Sequence, residues 1–227
     1  LVSPKTRMII LNSPNNPTGT TLNAEDIDEL IRITHNSDIL ILSDEVYEHL
    51  VYDGKEHLSI SRYPELKNRS FITASFGKLF HTTGWKVGYC LAPGWLMTEF
   101  RKVHQFEVFS VNTPVQYAIS EFMQNPSNYL EVSAFFQKKK DFFCSLMKKT
   151  RFDLLPCNGS YFQSVKYSRI SDEADTALAK RLTTEFRVAS IPVSAFYSKG
   201  TDHKVLRFCF AKKQETLEKA VDSLANV

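Results

Sequence analysis

The feature that most constrains this 227-residue sequence is a series of four short apolar runs in its first half. They span residues 8–11, 39–42, 71–74 and 87–92, and polar residues directly follow the first three. Near-continuous apolar runs of this length are typical of strands that are covered on both faces. The first two runs flank a predicted helix that Asn23 can cap. A strand, a helix and a strand at this spacing predict a βαβ unit in a mostly parallel sheet.

The remainder of the sequence predicts a second, smaller domain. A helical pattern from residue 95 to 124 is expected to break near Pro114, and a second long helix covers 129–149. After Pro156 the pattern changes to short strands with turns between them, followed by a closing helix over 214–224. We therefore expect an α/β protein with a large domain in residues 1–150 and a smaller α+β C-terminal domain in residues 151–227.

Composition and charge exclude several classes of partner. The formal net charge is only +3 at pH 7, and the basic run 138–140 is interpreted as the solvated face of a helix, so no nucleic-acid partner is expected. No apolar stretch is long enough to span a bilayer, so no membrane partner is expected either. The four cysteines form no CxxC pair and have no histidines at metal-ligand spacing. This pattern predicts reduced thiols in a cytoplasmic protein without a bound metal.

The informative polar motifs follow three of the predicted strands. They are residues 12–19 (NSPNNPTG), 43–47 (SDEVY) and 75–78 (SFGK). In an open parallel sheet, ligands bind beyond the carboxyl ends of the strands. An amide, a carboxylate with a phenol, and an amine are therefore expected at one sheet edge. Each motif alone also has a plain interpretation, because Asn, Pro and Gly favour turns and an Asp after a strand can cap a helix.

Taken together and in this order, these motifs resemble class I and II aminotransferases of the fold-type I pyridoxal phosphate family. The resemblance continues through residues 83–89 (TGWKVGY) and 205–212 (VLRFCFAK) and covers nearly the whole chain. It is strongest toward methionine and kynurenine–glutamine aminotransferases, on the strength of SDEVYEHL, HQFEVFSVNTPVQ and LRFCFAKK. The implied fold is a partial central, mostly parallel sheet with a small C-terminal domain. The resemblance also implies pyridoxal 5'-phosphate as cofactor, amino acid and 2-oxo acid substrates, and a homodimer.

The chain matches the C-terminal portion of the family pattern. In the family, a preceding segment supplies a phosphate loop and an aromatic ring that stacks on the cofactor, and neither is found in this sequence. We therefore expect the residues that are present to indicate the function of a longer protein, and the chain by itself to bind the cofactor poorly.

The resemblance assigns four residues to the reactive end of the cofactor. Lys78 would bind the cofactor aldehyde covalently and then move the Cα proton of the substrate. Asp44 would face the pyridine nitrogen, while Tyr47 and Asn16 would donate hydrogen bonds to the phenolic oxygen. Plain alternatives remain open for each: a surface lysine, a helix cap, a half-buried tyrosine and a turn residue.

Three further residues are assigned to anionic groups. Ser75 and Lys86 would bind the cofactor phosphate through a hydroxyl and an ammonium group. Many relatives have arginine at the position of Lys86, but the methionine and kynurenine subgroup also carries lysine. Arg207 would bind the α-carboxylate of the substrate through two parallel hydrogen bonds, with Asn16 beside it. A structural salt bridge is the alternative for Arg207, since a charge in an alternating strand is costly to bury without a partner.

These assignments favour an aminotransferase, and they leave three alternatives. A carbon–sulfur β-lyase of the same fold would share Lys78, Asp44 and Tyr47. A transcription regulator with an aminotransferase-like sensor domain would also share them, and would carry its DNA-binding part upstream. The last alternative is a chain that folds but has no chemistry of its own.

Overall fold

A computed structural model describes residues 2–227, and its backbone separates into two compact units. The first contains the residues up to 14, 21–51 and 55–132, and the second contains 15–20, 52–54 and 133–227. Two short segments of the first half of the chain thus fold with the second unit. The main change of unit falls at residues 132–133, at the start of the predicted second long helix. The functional domains 1–150 and 151–227 stay a prediction.

The first unit is built on a four-stranded mixed sheet in the order β1-β2-β3-β4. Its strands are β1 (Met8–Asn12), β2 (Leu40–Asp44), β3 (Ser70–Ser75) and β4 (Gly88–Leu91). β1, β2 and β3 are parallel, whereas β4 runs antiparallel to β3. The predicted α/β class with a mostly parallel sheet is therefore confirmed. β1 and β4 are the edge strands, and they expose apolar side chains such as Ile10 and Leu91.

Helix α1 (Ala24–Thr34) connects β1 and β2, and it begins where the sequence predicts. The side chain of Asn23 accepts a hydrogen bond from Asp26 N, and the Asp26 carboxylate accepts one from Asn23 N, each at 2.9 Å. This reciprocal capping satisfies two backbone donors that the first turn leaves open. The apolar face of α1 packs into the core of this unit, which contains Ile27, Leu30, Ile41, Ile60, Leu66 and Ile72.

The predicted helix break near Pro114 is displaced in the structure. The other helices of the first unit are α2 (Pro64–Lys67), α3 (Phe76–Leu79), α4 (Gly94–Glu107), α5 (Thr113–Phe122) and α6 (Ser127–Leu130). The chain leaves α4 after Glu107, and Pro114 lies in the first turn of α5. Asn112 caps that turn by accepting a hydrogen bond from Val115 N at 3.1 Å. Proline is compatible with this position because the first turn does not use its missing N–H.

The second unit contains an antiparallel sheet in the order β5-β6-β8-β7. Its strands are β5 (Asp153–Leu154), β6 (Phe162–Lys166), β7 (Ile191–Pro192) and β8 (Val205–Cys209), and its helices are α7 (Val132–Met147), α8 (Asp175–Glu185) and α9 (Gln214–Leu224). The ring of Phe208 packs against Phe143 and Phe152, with centroids 6.4 and 6.0 Å apart. No helix within residues 2–227 combines the length and apolar character needed to cross a membrane.

One lysine of the basic run contradicts its predicted position on a solvated helix face. Lys140 is only 8% exposed, and its Nζ donates to Asp53 Oδ2 at 2.5 Å. The ammonium group also lies 5.4 Å from the centroid of the Tyr52 ring. A buried ammonium needs such a partner. The partner comes from the segment 52–54, which helical periodicity around residue 140 could not reveal.

The close approach of β3 and β4 requires glycine at position 88. A Cβ on Gly88 would lie 2.4 Å from the carbonyl oxygen of Ala74, far inside van der Waals contact. We expect Gly88→Ala to lower the free energy of unfolding by about 1–3 kcal/mol, as other overpacking substitutions do. Urea denaturation measures this loss. Gly94→Ala is the matched control because its Cβ would meet open space, and equal midpoints for the two variants would contradict the steric argument.

Candidate active site

The first candidate residues meet at the carboxyl ends of the parallel strands. Asn12 ends β1, Asp44 ends β2 and Ser75 ends β3. Asn12 pairs with Asp44 in the parallel register of β1 and β2. Asp44 in turn pairs with Thr73, which lies two residues before Ser75. Because the three strands are parallel, these ends lie at one edge of the sheet, as the sequence predicts.

Asp44 is held by its backbone and its side chain. Its carbonyl oxygen accepts hydrogen bonds from Ser13 N and from Asn12 Nδ2, both at 3.1 Å. Its Oδ1 accepts a hydrogen bond from Val46 N at 3.2 Å. Partial burial is the main influence on the Asp44 carboxyl and raises its pKa above the ordinary value, while the positive charge of Lys78 acts in the opposite direction. The amine of Lys78 therefore lies within electrostatic reach of Asp44.

Lys78 lies in α3, which follows β3 without an intervening loop. Phe76 N donates to Val87 O at 3.2 Å and Thr82 N donates to Gly77 O at 3.0 Å, so this short helix is tied to the loop that comes after it. Within residues 2–227, the buried hydroxyl oxygen of Thr82 has no hydrogen-bond partner. A polar atom of this kind is often satisfied by a ligand or a water molecule.

Lys86 adopts a left-handed backbone conformation, with φ of 56°, and its side chain is exposed. This region of φ is disfavoured for residues with a Cβ and is enriched at binding sites. The backbone then enters β4 at Gly88, which pairs with Ser75. Lys86 lies two residues before Gly88, the residue of β4 that pairs with Ser75. The two predicted phosphate ligands are thus Ser75 at the end of β3 and Lys86 in the turn that leads into β4.

The turn after β2 carries Tyr47, which is almost fully buried. Glu48 N donates to Glu45 O at 2.9 Å and Leu50 N donates to Tyr47 O at 2.8 Å, so the turn is internally hydrogen-bonded. The hydroxyl of Tyr89 donates to Glu48 Oε1 at 2.5 Å and ties the same turn to β4. Burial raises the pKa of Tyr89, which keeps its hydroxyl protonated as a donor. Neither Glu48 nor Tyr89 was among the site residues predicted from the sequence.

Glu45, which directly follows Asp44, was also not predicted as a site residue from the sequence. In the structure its side chain is buried, with 2% exposure. Its carboxylate accepts hydrogen bonds from Ser43 Oγ at 2.9 Å and Ile60 N at 3.0 Å, and lies 2.8 Å from His57 Nε2. Burial alone would raise the pKa of Glu45, but the hydrogen bonds and charge of His57, with the other donors, hold it below the ordinary value of 4.5. The spacing of two between Ser43 and Glu45 is the available sequence signal, because residues i and i+2 of an extended segment share a face.

In the second unit, the structure brings Arg207 and Asn16 together. Arg207 Nη1 donates to Asn16 Oδ1, and the guanidinium carbon lies 3.9 Å from the centroid of the Phe162 ring and 5.4 Å from that of Phe196. Contacts of this kind between a cation and aromatic faces are attractive and orient the planar guanidinium. The segment of Asn16 is anchored in turn, because Ser164 Oγ donates to Pro17 O at 3.1 Å. The two phenylalanines were not identified from the sequence.

The strand that carries Arg207 has the predicted alternation. Leu206 and Phe208 are buried, whereas Arg207 and Cys209 are partly exposed. The charged group therefore lies on the less buried face of β8, where its aromatic and amide contacts reduce the cost of desolvation.

The donor set of the first unit fits pyridoxal 5'-phosphate. A half-buried carboxylate with a raised pKa is suited to meet the cationic ring nitrogen, because an opposite charge offsets the cost of desolvation. The positive charge of Lys78 acts on this carboxylate, and Ser75 and Lys86 offer a hydroxyl and an ammonium group of the kind that bind phosphate. The residues that could hold the cofactor are therefore Asp44, Tyr47, Ser75, Lys78 and Lys86.

Sequence comparison gives the same family. The profile described as aminotransferase class I and II matches residues 2–224. The methionine aminotransferase of Escherichia coli (strain K12) is 42% identical over 225 residues, which are 99% of this chain and 58% of that protein. The kynurenine–oxoglutarate transaminase of Dictyostelium discoideum is 33% identical over 246 residues, covering 97% of this chain and 56% of that protein.

Solved structures agree with the sequence comparison. A crystal structure from Escherichia coli, described as identifying a methionine aminotransferase function, matches with a TM-score of 0.97 at 41% identity, covering 100% of this chain and 60% of that one. N-succinyldiaminopimelate aminotransferase from Mycobacterium tuberculosis matches with a TM-score of 0.94 at 28% identity, covering 99% and 59%. The chain thus spans between 56% and 60% of the length of the relatives compared. It belongs to the class I and II aminotransferases, a family whose cofactor is pyridoxal 5'-phosphate.

Proposed function

We propose that the protein is an aminotransferase that moves the amino group of an amino acid to a 2-oxo acid with pyridoxal 5'-phosphate as cofactor. The observation that carries this proposal is the placement of Lys78 directly after β3, within electrostatic reach of the half-buried Asp44 at the end of β2. Methionine, aromatic or kynurenine-like amino acids are the proposed donors. The names of the relatives at 42% and 33% identity support that class.

Each cofactor-binding residue has a distinct proposed role. The bound cofactor supplies an electron-accepting ring for the electrons that remain when the Cα–H bond of the substrate breaks. Lys78 carries the cofactor and moves the proton at Cα. Asp44 would keep the ring nitrogen protonated, and Tyr47 and Asn16 would donate hydrogen bonds to the phenolic oxygen.

The proposed anion-binding residues are Ser75 and Lys86 for the cofactor phosphate, and Arg207 for the α-carboxylate of the substrate. Arg207 is suited to this role because its planar guanidinium can make two parallel hydrogen bonds to a carboxylate. The rings of Phe162 and Phe196 restrict its orientation, and Asn16 accepts from one of its nitrogens.

We further infer a homodimer in the cytoplasm. Helices α4 and α5 and the loop between them carry large apolar side chains that face solvent in this chain, including Phe106, Phe109 and Tyr117, exposed by 85, 84 and 75%. Clustered apolar residues of this size are typical of protein interfaces. The four cysteines are free thiols, which suits a reducing compartment.

Substrate turnover distinguishes the aminotransferase from the β-lyase and from a sensor domain. We expect the intact protein to convert methionine or kynurenine only when a 2-oxo acid is supplied, because the amino group must be passed on. Coupled assays for the new amino acid measure this turnover. Release of pyruvate and a thiol from a cysteine S-conjugate without any 2-oxo acid would favour the β-lyase, and cofactor binding without turnover of either kind would favour a sensor domain.

Covalent attachment of the cofactor tests the role of Lys78. Borohydride treatment of the intact protein with bound pyridoxal phosphate, followed by peptide mapping, should place the pyridoxyl group on Lys78. Lys86 is the internal control because it lies only eight residues away and is more exposed. A label on Lys86, or on any peptide that lacks Lys78, would contradict the assignment.

Substitution of Arg207 tests the proposed carboxylate contact. We expect Arg207→Ala to raise KM for the amino acid without changing the absorbance spectrum of the bound cofactor. The loss of binding free energy for the amino acid should be on the order of 2–5 kcal/mol, as when one partner of a buried charge pair is removed. Arg181→Ala is the matched control, since this arginine of the same unit pairs with Glu173 at 2.8 Å. An unchanged KM in Arg207→Ala would leave only a structural role.

A further inference from the structure

The side chains of Ser43, Asp44 and Glu45 alternate at the end of β2. Ser43 and Glu45 are 1% and 2% exposed and bond to each other, whereas Asp44 is only half-buried. Because successive residues of an extended chain point to opposite sides, the carboxylate of Glu45 lies behind the segment that presents Asp44. The proposed function uses Asp44 and gives no role to Glu45.

The carboxylate of Glu45 gathers donors from two separate segments. Ser43 belongs to β2, whereas His57 and Ile60 belong to the loop and short 3₁₀ helix before β3. Ile60 is a fully buried member of the core of this unit. The side chain of His57 is 12% exposed, and its Nδ1 has no hydrogen-bond partner within residues 2–227. Its bond to Glu45 is therefore the hydrogen bond that fixes the ring.

The backbone of Glu45 connects this anchor to both neighbouring site residues. Glu45 N donates to Thr73 O at 2.8 Å, and Glu45 O accepts from Glu48 N at 2.9 Å, which closes the turn that contains Tyr47. Val46 N, the next amide along the chain, donates to the Asp44 carboxylate. A shift of Glu45 would move Asp44 on one side and Tyr47 on the other.

We propose that Glu45 is a positioning residue for the cofactor site, holding the turn of Asp44 and Tyr47 in place through its hydrogen bonds to His57, Ile60 and Ser43. This inference rests on the proposed function only for the identity of the ligand. Glu45 acts through its neighbours and does not itself touch the cofactor.

The surrounding charges are consistent with an ionised carboxylate in this role. The pKa of Glu45 is below its ordinary value, so the group is charged at neutral pH and can accept from all three donors. Two further titratable residues of the turn are Glu48, bound by Tyr89, and His49, whose Nε2 lies 4.0 Å from Glu48 Oε1. Burial lowers the pKa of His49, so it adds little positive charge at neutral pH.

Two substitutions at Glu45 separate geometry from charge. Glu45→Ala leaves the buried donors Ser43 Oγ and Ile60 N, and the partly buried His57 Nε2, without this acceptor. Glu45→Gln retains an oxygen for Ser43 and Ile60, and its amide can donate to His57 Nε2 if the ring proton moves to Nδ1. In the intact protein, we expect Glu45→Ala to raise the Kd for pyridoxal phosphate about tenfold or more, whereas Glu45→Gln should stay within about threefold of the unsubstituted protein. Absorbance or fluorescence titration measures both constants.

A second readout does not require the cofactor. Hydrogen exchange at the amide of Val46 reports whether the turn still presents this N–H to Asp44. In the cofactor-free intact protein, we expect faster exchange at Val46 in Glu45→Ala and little change in Glu45→Gln. If the intact protein failed to bind pyridoxal phosphate at all, the proposed function would be wrong, while exchange at Val46 would still decide the role of Glu45.

Asp53→Ala is the control for general destabilisation, because it removes the partner of the buried Lys140 in the other unit. It should lower the thermal midpoint without changing the Kd or the exchange at Val46. The proposal is overturned if Glu45→Ala changes the Kd for pyridoxal phosphate and the exchange at Val46 no more than Asp53→Ala does. It is also overturned if Glu45→Gln loses as much affinity as Glu45→Ala. Should Glu45→Ala fail to fold, His57→Leu removes one donor only and must show smaller changes in the same direction.

Discussion

The parallel pairing of β1, β2 and β3 is the constraint on which the candidate cofactor site depends. Their carboxyl ends lie side by side, so residues from three distant parts of the sequence are delivered to one edge. The pairing also places the carbonyl of Asp44 where Ser13 N and Asn12 Nδ2 can both donate to it. A shift of one residue in this register would turn every side chain to the other face of the sheet. The buried core beneath the strands fixes this register and therefore the relative positions of the site residues.

Two neighbouring carboxyl groups at this edge have opposite properties. Burial raises the pKa of Asp44, whereas the bonds to His57 and other donors lower the pKa of Glu45. In the proposed assignment, Asp44 contacts the cofactor, while its neighbour Glu45 holds the turn in place. Glu45 already has its cationic or polar partners within the protein, and Asp44 retains the capacity to meet a cation from a ligand. Such divergence between titratable neighbours is typical of functional sites.

Much of this arrangement could be predicted from local patterns in the sequence. The four strands of the first unit, α1 with its Asn23 cap, and α9 at Gln214–Leu224 all follow from apolar spacing and capping residues. The features that were missed depend on contacts distant in sequence. Lys140 finds Asp53 across 87 residues, and the guanidinium of Arg207 lies against the rings of Phe162 and Phe196, which come from two other segments. Glu45 and the position of Pro114 show a second limit, because their local sequence permits more than one structure and packing selects between them.

The second unit includes two short segments, 15–20 and 52–54, that come from the first half of the chain. Tyr52 is a fully buried residue of that unit, with its hydroxyl 2.5 Å from the carbonyl oxygen of Ser160 and its ring 6.3 Å from that of Phe210. A gene fragment that starts at residue 133 would omit this tyrosine, together with Asp53 and Asn16. The truncated product would have a hole in its aromatic core and an ammonium group without its counter-ion. The second unit is continuous in space but not along the chain, so genetic truncation cannot excise it whole.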